Sequence, residues 1–306
     1  MKKYKICIIL INFNSADYTV SCIKSIKEFV DKNLSYNIFI IDNNSKVEDY
    51  EKLKLFVNKY DDIQIIRSKI NLGFSGGNML GIQFADAEYI YFLNNDTLLL
   101  NDCLSILYKF METNRNVGIC TGQMYNTDIT FHHSFNYFPT LSLKLFGSSL
   151  LRLINPLKYP QKKKEYTAPL QVDFTTGAAM FIDYSKFAEV GGFDTNYFLY
   201  CEEEDIAMKL KRAGYYAYIV PEAKFIHHMG KSTVRNFEIE KENYISILYF
   251  QRKYSNYIVY QLYKIFCFFK IIKKSYKNIA FLKLAFFILG GANLKYSLKH
   301  KQKIYI

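Results

Sequence analysis

The feature that most constrains the fold is the alternation of short apolar segments with helical segments at the start of the chain. Strands that alternate with helices form a parallel sheet with helices on both faces. We therefore predict an α/β fold with a doubly wound, mostly parallel sheet. The predicted strands are residues 5–11, 37–41, 63–67 and 89–93, and the first two predicted helices are residues 18–32 and 47–59.

Polar residues follow three of these four strands at the point where each strand ends. Because the carboxyl ends of parallel strands meet at one edge of a sheet, we expect these side chains to converge on one ligand-binding crevice. Asp96 could hold a divalent cation there, and the cation could hold a diphosphate. The alternative for residues 94–96 is a plain strand-ending turn. The candidate residues are Asn12, Phe13, Asn14, Asp42, Asn44, Asn94, Asn95 and Asp96.

A glycine-rich loop, residues 71–78, follows the third strand and opens a helix. A dinucleotide fingerprint would follow the first strand instead, and no Walker loop is present, so a nicotinamide-type site is not predicted. The glycines favour either a tight turn with close helix packing or a close approach of the backbone to a nucleotide or sugar. Both interpretations stay open at this point. The candidate ligand-binding residues of the loop are Asn71, Gly73, Phe74, Gly76, Gly77 and Asn78.

Four consecutive acidic residues, Glu202 to Asp205, begin a predicted helix that ends at Gly214. Acidic side chains in a first turn are favoured by the helix dipole and by capping, which needs no catalytic role. Four adjacent carboxylates also repel one another, and burial near Phe198 and Tyr200 would raise a carboxyl pKa. A raised pKa is what a general base requires near neutral pH.

The periodicity weakens between residues 118 and 170, which we interpret as a loop on the acceptor side of the site. The region contains the adjacent pair His132 and His133 and a lysine run at 162–164. Two histidines without further ligands at helical spacing favour a loop over a metal site. The lysines are expected to be solvated or to contact phosphate. A second histidine pair, beginning at His227, follows a predicted short strand, 217–220, that ends at Pro221.

Composition and charge limit the metal sites, cellular settings and partners that the chain can have. The chain has 306 residues, six cysteines and a net charge of +12. No Cys-x-x-Cys pair is present, so neither zinc nor a disulfide framework is predicted, and a reducing, cytoplasmic setting fits. From residue 243 onward there are 12 Lys and Arg and no Asp or Glu, so the whole excess charge lies in this last part. No nucleic-acid recognition motif accompanies the charge, so no nucleic-acid partner is predicted.

Taken together and in order, these motifs resemble the inverting family 2 glycosyltransferases with the GT-A fold, and within them the rhamnosyltransferase-like bacterial branch. The resemblance extends from residue 5 to residue 233. No single motif is specific, but seven in the same order are. The seven motifs that carry it are residues 11–15, 41–45, 71–78, 94–96, the acceptor-side segments 172–180 and 191–194 taken together, 202–205 and His227.

The resemblance implies roles for single residues. Glu203 lies at the second position of the family's Glu-Asp-x-Asp motif, which supplies the catalytic base, with Glu202 and Asp205 as the other catalytic candidates. Asp96 and His227 would bind the metal, and Asp42 would face the pyrimidine. The chain departs from many relatives in having one carboxylate in the metal motif and Glu instead of Asp at the base position. The implied acceptor-binding residues are Thr176, Gly177, Ala178 and Tyr200.

The implied activity is transfer of a sugar from a dTDP- or UDP-sugar to a hydroxyl of a glycan acceptor, with inversion and with Mg²⁺ or Mn²⁺. L-rhamnose is the sugar most often associated with this branch, and the implied process is bacterial surface polysaccharide synthesis on a polyprenyl-diphosphate carrier. One alternative is a sugar nucleotidyltransferase, although residues 12–14 lack its glycine-rich, basic first loop. A glycoside hydrolase would leave the diphosphate-type crevice unexplained. A non-catalytic sugar-nucleotide binder also stays open.

Residues 236–306 form a predicted helical, basic appendage to a catalytic domain of residues 1–235. Its apolar segments, 257–272 and 279–289, are interrupted by lysines and are shorter than the roughly 20 residues that a spanning helix needs. Basic residues mixed with Phe and Tyr favour helices that lie in the interface of an anionic membrane. The alternative is packing on the catalytic domain with a solvated lysine face. We therefore predict a peripheral location at the inner face of the cell membrane.

Overall fold

The computed structural model describes residues 3–228, 236–276, 278–302 and 304. The strands are β1 (Tyr4–Asn12), β2 (Tyr36–Asp42), β3 (Ile63–Arg67), β4 (Ala87–Asn94), β5 (Thr97–Leu99), β6 (Val117–Tyr125), β7 (Phe131–His132), β8 (Phe135–Asn136), β9 (Leu170–Val172), β10 (Phe174–Thr175), β11 (Ala179–Asp183) and β12 (Tyr216–His227). The helices are α1 (Ala16–Phe29), α2 (Val47–Val57), α3 (Gly73–Ile82), α4 (Cys103–Thr113), α5 (Leu141–Ile154), α6 (Tyr184–Glu189), α7 (Glu202–Arg212), α8 (Phe237–Tyr254), α9 (Tyr257–Ile272) and α10 (Ala280–Leu289), followed by 3₁₀ turns at Leu294–Tyr296 and Leu298–Lys301.

One large twisted sheet organises the molecule, with the strand order β3-β2-β1-β4-β11-β6-β12-β5. Strands β3, β2, β1 and β4 are mutually parallel, as the sequence predicted. Beyond β4 the sheet becomes mixed, because β11 runs antiparallel to both β4 and β6. A separate two-stranded sheet pairs β8 with β10. The predicted α/β fold with a largely parallel central sheet is confirmed.

The sheet is buried on both faces, which explains the continuous apolar runs in its strands. Ile6, Ile8 and Leu10 of β1 pack with residues of α1, α2 and α4 on one face. Cys7 and Ile9 point the other way and pack with residues of α6 and α7. Full burial of each such side chain contributes about 1.5–3 kcal/mol, so neither face could be left uncovered.

Strand β12 corrects the prediction that the strand after residue 216 ends at Pro221. It continues to His227, and its register with β6 shifts between Val220 and Lys224. Proline has no N–H to donate, so it is tolerated where the ladder is already interrupted. The extension pairs β12 with β5 and places His227 opposite Thr97, next to the predicted metal motif. Residues 229–233, the end of the predicted family resemblance, lie outside the described residues.

The region from 118 to 170 is not one loop, which is a second correction. β6 is buried along its whole length, although small and polar residues break up its apolar pattern. Two of these are glycines that tertiary contacts explain: a Cβ atom at Gly118 would lie 2.8 Å from Tyr215, and one at Gly122 only 2.5 Å from the carbonyl oxygen of Ala223. Helix α5 follows, with a kink at Gly147.

Helix α8 fixes the appendage to the sheet domain. Ser246 Oγ donates to the carbonyl oxygen of Leu199 at 2.7 Å, and Gln251 Nε2 donates to that of Pro139 at 2.6 Å. Helices α9 and α10 pack on α8 and on each other around Tyr263 and Ile288. No helix among the described residues combines the length and the apolar character needed to cross a membrane.

Candidate active site

The ends of β1 and β2 are joined by Asn12, which is fully buried. Its Nδ2 donates to Asp42 Oδ1 at 3.0 Å and to Asp49 Oδ2 at 2.9 Å, and its Oδ1 accepts from Thr19 Oγ1 at 2.8 Å. Asp42, also fully buried, lies 3.4 Å from Arg67 Nε. Both side chains are therefore held by protein groups, and the contact of Asp42 with a pyrimidine stays a prediction.

The neighbouring residues of these two strand ends reach the surface. Phe13 is 42% exposed, and Asn14 is exposed as well. Asn14 and Asn44 have φ values of 53° and 64°, in the left-handed region that asparagine tolerates better than most residues. Asn14 Oδ1 accepts from the backbone N–H of Lys46 at 2.8 Å. Phe13 and Asn44 are thus the residues of the two loops that remain open to a ligand.

The glycine-rich loop is explained by close packing at two of its glycines. Gly73 has a φ of 70°, and a Cβ atom there would lie 2.1 Å from the carbonyl oxygen of Phe198. A Cβ atom at Gly77 would lie 3.0 Å from the Ile11 side chain. Helix α3 begins at Gly73, so Gly76 and Gly77 lie in its first turns. The turn-and-packing interpretation is therefore sufficient for Gly73 and Gly77.

Two asparagines at the ends of this loop differ in their surroundings. Asn71 Oδ1 accepts from the backbone N–H of Gly73 at 2.8 Å and shapes the turn. Asn78 is buried, and its Nδ2 has no hydrogen-bond partner among the described residues. A buried donor without an acceptor costs about 1–3 kcal/mol, so Asn78 is one of the residues of this loop that a ligand atom could satisfy. A contact of Phe74 or Gly76 with donor stays a prediction.

The residues after β4 divide into one that braces the scaffold and one that faces the crevice. Asn95 Nδ2 donates to Ser15 Oγ and to Thr19 Oγ1, each at 2.7 Å, and so ties the β4 end to the start of α1. Asp96 is also buried, but its Oδ1 lies 3.1 Å from Nε2 of His227, 131 residues away in sequence. The β5–β12 pairing makes this contact possible.

Asp96 and His227 have free capacity for a cation. Asp96 Oδ2 and His227 Nδ1 are buried and have no hydrogen-bond partner in the described part of the chain. A carboxylate oxygen and an imidazole nitrogen are ligands that Mg²⁺ or Mn²⁺ accepts, and such ions commonly complete their shell with phosphate and water. No group of three His, Cys, Asp or Glu suited to a metal occurs among the described residues. The two side chains therefore fit a cation that a diphosphate helps to hold.

Glu203 faces the acceptor-side segment across a glycine. A Cβ atom added at Gly177 would lie 3.6 Å from Glu203 Oε1, an ordinary van der Waals distance, so the carboxylate packs directly against this residue. Burial raises the pKa of Glu203 above the ordinary glutamate value, and hydrogen bonding to backbone N–H groups, including that of Gly177, opposes the rise. A carboxylate that is part-buried and held by a backbone amide suits a general base.

Glu202 and Glu204 flank Glu203 and are harder to ionise. Burial is the first cause that raises the pKa of each well above the usual range, and the charge of Glu203 is the second. The Oε2 atom of each is buried without a hydrogen-bond partner among the described residues. Because three adjacent carboxylates cannot all ionise easily, we expect the first proton lost from this cluster to leave Glu203.

Asp205 has a different environment from its three neighbours. Its Oδ1 accepts from Lys253 Nζ at 2.6 Å and from Tyr254 OH at 2.8 Å, both on α8. Its Oδ2 lies 3.4 Å from Lys209 Nζ. These contacts favour Asp205 as the anchor of α8 over the catalytic role that the motif implied, because its charge is already balanced by lysines.

The metal-side and base-side groups are neighbours through one backbone contact. The N–H of Asn94 donates to the carbonyl oxygen of Ala178 at 2.8 Å. Asn94 Nδ2 lies 3.4 Å from His227 Nε2, and Ala178 follows the glycine that faces Glu203. The pairing of β4 with β11 thus links the segment that carries Asp96 to the segment that contacts Glu203.

Comparison with known proteins shows the family to which the chain belongs. The sequence model described as glycosyl transferase family 2 matches residues 7–191, more than half of the chain. The chain belongs to glycosyl transferase family 2. It is 28% identical over 230 residues to rhamnosyltransferase WbbL of Escherichia coli K12, covering 72% of this chain and 82% of that one.

A second relative of this family 2 chain matches over a shorter stretch. It is N-acetylglucosaminyl-diphospho-decaprenol L-rhamnosyltransferase of Mycobacterium tuberculosis, 38% identical over 65 residues, which is 21% of each chain. Among solved structures, mannosyltransferase PcManGT of Pyrobaculum calidifontis, in complex with GDP-Man and Mn²⁺, has a TM-score of 0.58 at 13% identity and covers 95% of this chain and 76% of that one.

GalNAc-T7, solved with UDP, GalNAc and Mn²⁺, has a TM-score of 0.59 at 14% identity. The match covers 80% of this chain and 47% of that chain, so the present chain spans about half of that structure. These structural likenesses establish the fold of the family 2 chain, and the predicted GT-A fold is confirmed.

Several features of this family 2 chain escaped the sequence analysis. Tyr200 and Cys201 both have positive φ, at 72° and 66°, and this rare pair turns the backbone into α7 at Glu202. Two adjacent left-handed residues without glycine give no sequence signal, and such strain is found mainly at functional sites. Thr176, a predicted acceptor residue, keeps its Oγ1 without a hydrogen-bond partner in the described residues. The direct contacts of Thr176, Ala178 and Tyr200 with an acceptor stay predictions.

Proposed function

We propose that the chain transfers a sugar from a nucleotide-diphosphate donor to a hydroxyl of a glycan acceptor, with inversion at the anomeric carbon. The observation that carries this proposal is the adjacency of the Asp96–His227 pair and Glu203 across the Asn94–Ala178 hydrogen bond of 2.8 Å. The Asp96–His227 pair suits a leaving diphosphate, and Glu203 suits an attacking hydroxyl. A single displacement needs both, on opposite sides of the reacting carbon.

In the proposed reaction Glu203 accepts the proton of the acceptor hydroxyl as its oxygen bonds to the anomeric carbon. The bond between that carbon and the diphosphate oxygen breaks, and the nucleoside diphosphate leaves from the opposite face. Asp96 and His227 would hold Mg²⁺ or Mn²⁺, which, when bound, neutralises charge on the leaving diphosphate. The Gly177 amide orients the Glu203 carboxylate, and the raised pKa of Glu203 makes it a stronger proton acceptor than an ordinary glutamate.

For the donor we propose a dTDP- or UDP-sugar, with L-rhamnose as the first candidate sugar. Two relatives that match this chain carry rhamnosyltransferase in their names, and one of them names a diphospho-decaprenol acceptor. We propose a polyprenyl-diphosphate-linked glycan as the acceptor and bacterial surface polysaccharide synthesis as the process. The experiment below tests the donor and the acceptor separately.

The test is release of nucleoside diphosphate from a panel of dTDP- and UDP-sugars by the full chain, with Mn²⁺ or Mg²⁺, with and without a lipid-diphosphate-linked sugar. We expect acceptor-dependent release from one donor. Asp96→Asn should lower it by at least about 100-fold, because metal stabilisation of a leaving group is worth several kcal/mol. Asp17→Asn, a change at an exposed residue of α1, is the control. Donor binding without release under every condition would favour a non-catalytic nucleotide-sugar binder.

We also propose that the molecule lies at the inner, cytoplasmic surface of a membrane, with a docking surface formed by α5, α9 and α10. Helix α5 and the turn after it expose Leu153 (82%) and Leu157 (91%), and α9 exposes Tyr257 (76%) and Ile258 (70%). Helices α5 and α9 contact each other. The surface is also basic, because residues 129–164 contain six Lys and Arg and no Asp or Glu, and residues 243–306 likewise contain no Asp or Glu. Apolar side chains among basic ones suit an anionic bilayer.

Flotation with vesicles tests this docking surface. We expect the wild-type chain to float with phosphatidylglycerol vesicles, and the pair Leu153→Glu and Ile258→Glu to remain in the soluble fraction. Leu55→Glu, at an exposed apolar position on α2 that is 68% exposed, is the matched control and should float like wild type. Equal flotation of the wild type and the double variant would contradict the docking surface while leaving the proposed transfer reaction untouched.

A further inference from the structure

A lysine of α5, Lys144, lies half-buried beside the acid cluster, residues 202–205, without an acidic partner. No carboxylate in the described part of the chain comes within 4.0 Å of its ammonium group. Burial lowers its pKa first, and the charge of Lys270 on α9 lowers it further. Lysines are rarely buried unless they are paired, so this position needs an explanation.

A second half-buried lysine, Lys162, extends the same positive region. It belongs to the lysine run 162–164, and its Nζ donates to Asn136 Oδ1. Burial lowers its pKa, and the charge of Lys144 lowers it further, so the two ammonium groups act on each other. His133 adds no charge at neutral pH, because burial and then His132 and Lys162 lower its pKa to about 4.

These lysines flank the acceptor-side segment rather than the Asp96–His227 pair. Asn136, the partner of Lys162, is paired with Phe174 in the small sheet. One turn of chain away, the backbone N–H of Thr176 donates to the carbonyl oxygen of Ser134 at 2.8 Å. On the other side, the charge of Lys144 acts on Glu204, the residue after the proposed base. The positive region therefore borders the place where an acceptor hydroxyl would approach Glu203.

The protein does not neutralise this charge itself. Glu204 is the carboxylate that acts on Lys144, but it lies more than 4.0 Å from the ammonium group, and burial raises its pKa well above the usual range, which disfavours its ionised form. Two half-buried ammonium groups that repel each other are unfavourable unless an anion joins them. The proposed reaction places the donor diphosphate at Asp96 and His227, which leaves the phosphate groups of the acceptor as the anion for these lysines.

We propose that Lys144 and Lys162 bind the phosphate groups that join the acceptor sugar to its lipid carrier. This inference rests on the proposed function and names a subsite of it. Lysine ammonium groups make charge-assisted hydrogen bonds to phosphate oxygens. The next residues of α5, Leu145 and Phe146, are exposed by 55% and 57% and lie toward the docking surface, where the isoprenoid chain would continue. The carrier then runs from the bilayer past the lysines, with its sugar at Glu203.

Binding of farnesyl diphosphate to the full chain tests the subsite without any turnover. We expect the pair Lys144→Met and Lys162→Met to weaken binding by at least about 10-fold, since loss of one charge-assisted hydrogen bond is worth roughly that factor. The matched control is the pair Lys158→Met and Lys163→Met, exposed lysines of the same segment, which should bind like wild type. Both pairs should bind the donor nucleotide normally, and farnesol should bind none of the proteins as tightly as the diphosphate does.

Four outcomes would overturn the subsite. The first three are no binding of farnesyl diphosphate by wild type, equally weakened binding in both lysine pairs, and displacement of farnesyl diphosphate by the donor nucleotide. The fourth outcome is that the pair Lys144→Met and Lys162→Met binds farnesyl diphosphate like wild type and loses only binding to phosphatidylglycerol vesicles. The last would assign Lys144 and Lys162 to bilayer headgroups instead. Lysine-dependent binding of farnesyl diphosphate without any sugar transfer would support the subsite and count against the proposed reaction, so the two proposals fail separately.

Discussion

The buried carboxylates on the two sides of the crevice differ in their hydrogen bonding. At the ends of β1 and β2, Asn12 and Asp42 bond to each other and to the residues around them. On the reaction side, buried atoms of Asp96, Glu202 and Glu204 have no hydrogen-bond partner in the described part of the chain. Both sides consist of Asn, Asp and Glu, so residue type alone does not separate them.

The difference teaches which of the motif residues build the crevice and which are left to act on a ligand. A polar group that makes its full set of hydrogen bonds, which we call saturated, stabilises the fold, and its loss leaves its partners unsatisfied. An unsatisfied buried group costs stability and persists where binding or catalysis uses it. We therefore expect substitutions on the saturated side to lower the free energy of unfolding, and substitutions on the unsatisfied side to lower the rate.

The largest expected effect is that of Glu203→Gln on turnover. If Glu203 accepts the acceptor proton, kcat should fall by about 10²–10⁴-fold while the unfolding midpoint stays close to that of wild type. Single-turnover kinetics with saturating donor and acceptor would measure the chemical step. Glu202→Gln is the comparison variant and should retain most of the rate. The reverse ranking of the two variants would move the base to Glu202.

The next effect is structural and concerns Gly73. Gly73→Ala should lower the free energy of unfolding by about 2–4 kcal/mol, because it adds a left-handed alanine and forces a Cβ atom against the Phe198 carbonyl oxygen. Gly214→Ala separates the two costs, since Gly214 has a φ of 90° but no atom within 4 Å of an added Cβ. Denaturant unfolding should show about 1–2 kcal/mol for Gly214→Ala. Equal losses in both variants would mean that the close approach at Gly73 is unimportant.

Much of the saturated side could be predicted from sequence, and much of the unsatisfied side could not. The strands of the parallel half are continuous apolar runs, and their polar ends converge because parallel topology requires it. The mixed half depends on contacts between distant segments, such as the pairing of β5 with β12 that brings His227 to Asp96. Strand β6 was missed because glycines and polar residues in it are explained only by tertiary packing.

The acid cluster shows the same limit at single residues. The sequence predicts four equivalent carboxylates at residues 202–205. In the structure, Asp205 is bonded to Lys253 and Tyr254 of α8. The Oε2 atoms of Glu202 and Glu204, by contrast, have no hydrogen-bond partner in the described residues. Lys144 gave no signal either, because one lysine among the leucines of an amphipathic helix is usually solvated. Partners from other elements decide these roles, and no local pattern encodes them.

Asn12→Ala tests the saturated side directly. We expect the free energy of unfolding to fall by about 1–3 kcal/mol, because the buried carboxylate of Asp42 and the part-buried carboxylate of Asp49 lose an amide donor. Denaturant unfolding would measure the loss, and Asn33→Ala, at an exposed asparagine, should stay within about 0.5 kcal/mol of wild type. A variant with wild-type stability and weak donor binding would instead give Asn12 a ligand-binding role.

The smallest expected effect is that of Glu204→Gln on stability. Unlike the substitutions above, it should stabilise the chain, and only as the pH rises. Burial raises the pKa of Glu204 in the folded chain, so its protonated form favours folding at a pH below the ordinary glutamate value. That contribution is lost as the pH rises through the raised pKa, because ionisation is then easier in the unfolded chain. Glutamine has no such proton to lose. Glu204→Gln should therefore become progressively more stable relative to wild type as the pH increases.

Unfolding midpoints measured at several pH values between 5 and 9 (roughly one unit above ordinary glutamate to well beyond it) would show this divergence. The matched change Glu51→Gln, at an exposed residue of α2, should give a curve parallel to wild type. Parallel curves for Glu204→Gln as well would mean that Glu204 has a solvated or paired carboxylate. The reaction side would then lose its distinguishing feature, since Lys144 would already have an ionised partner and need no external phosphate.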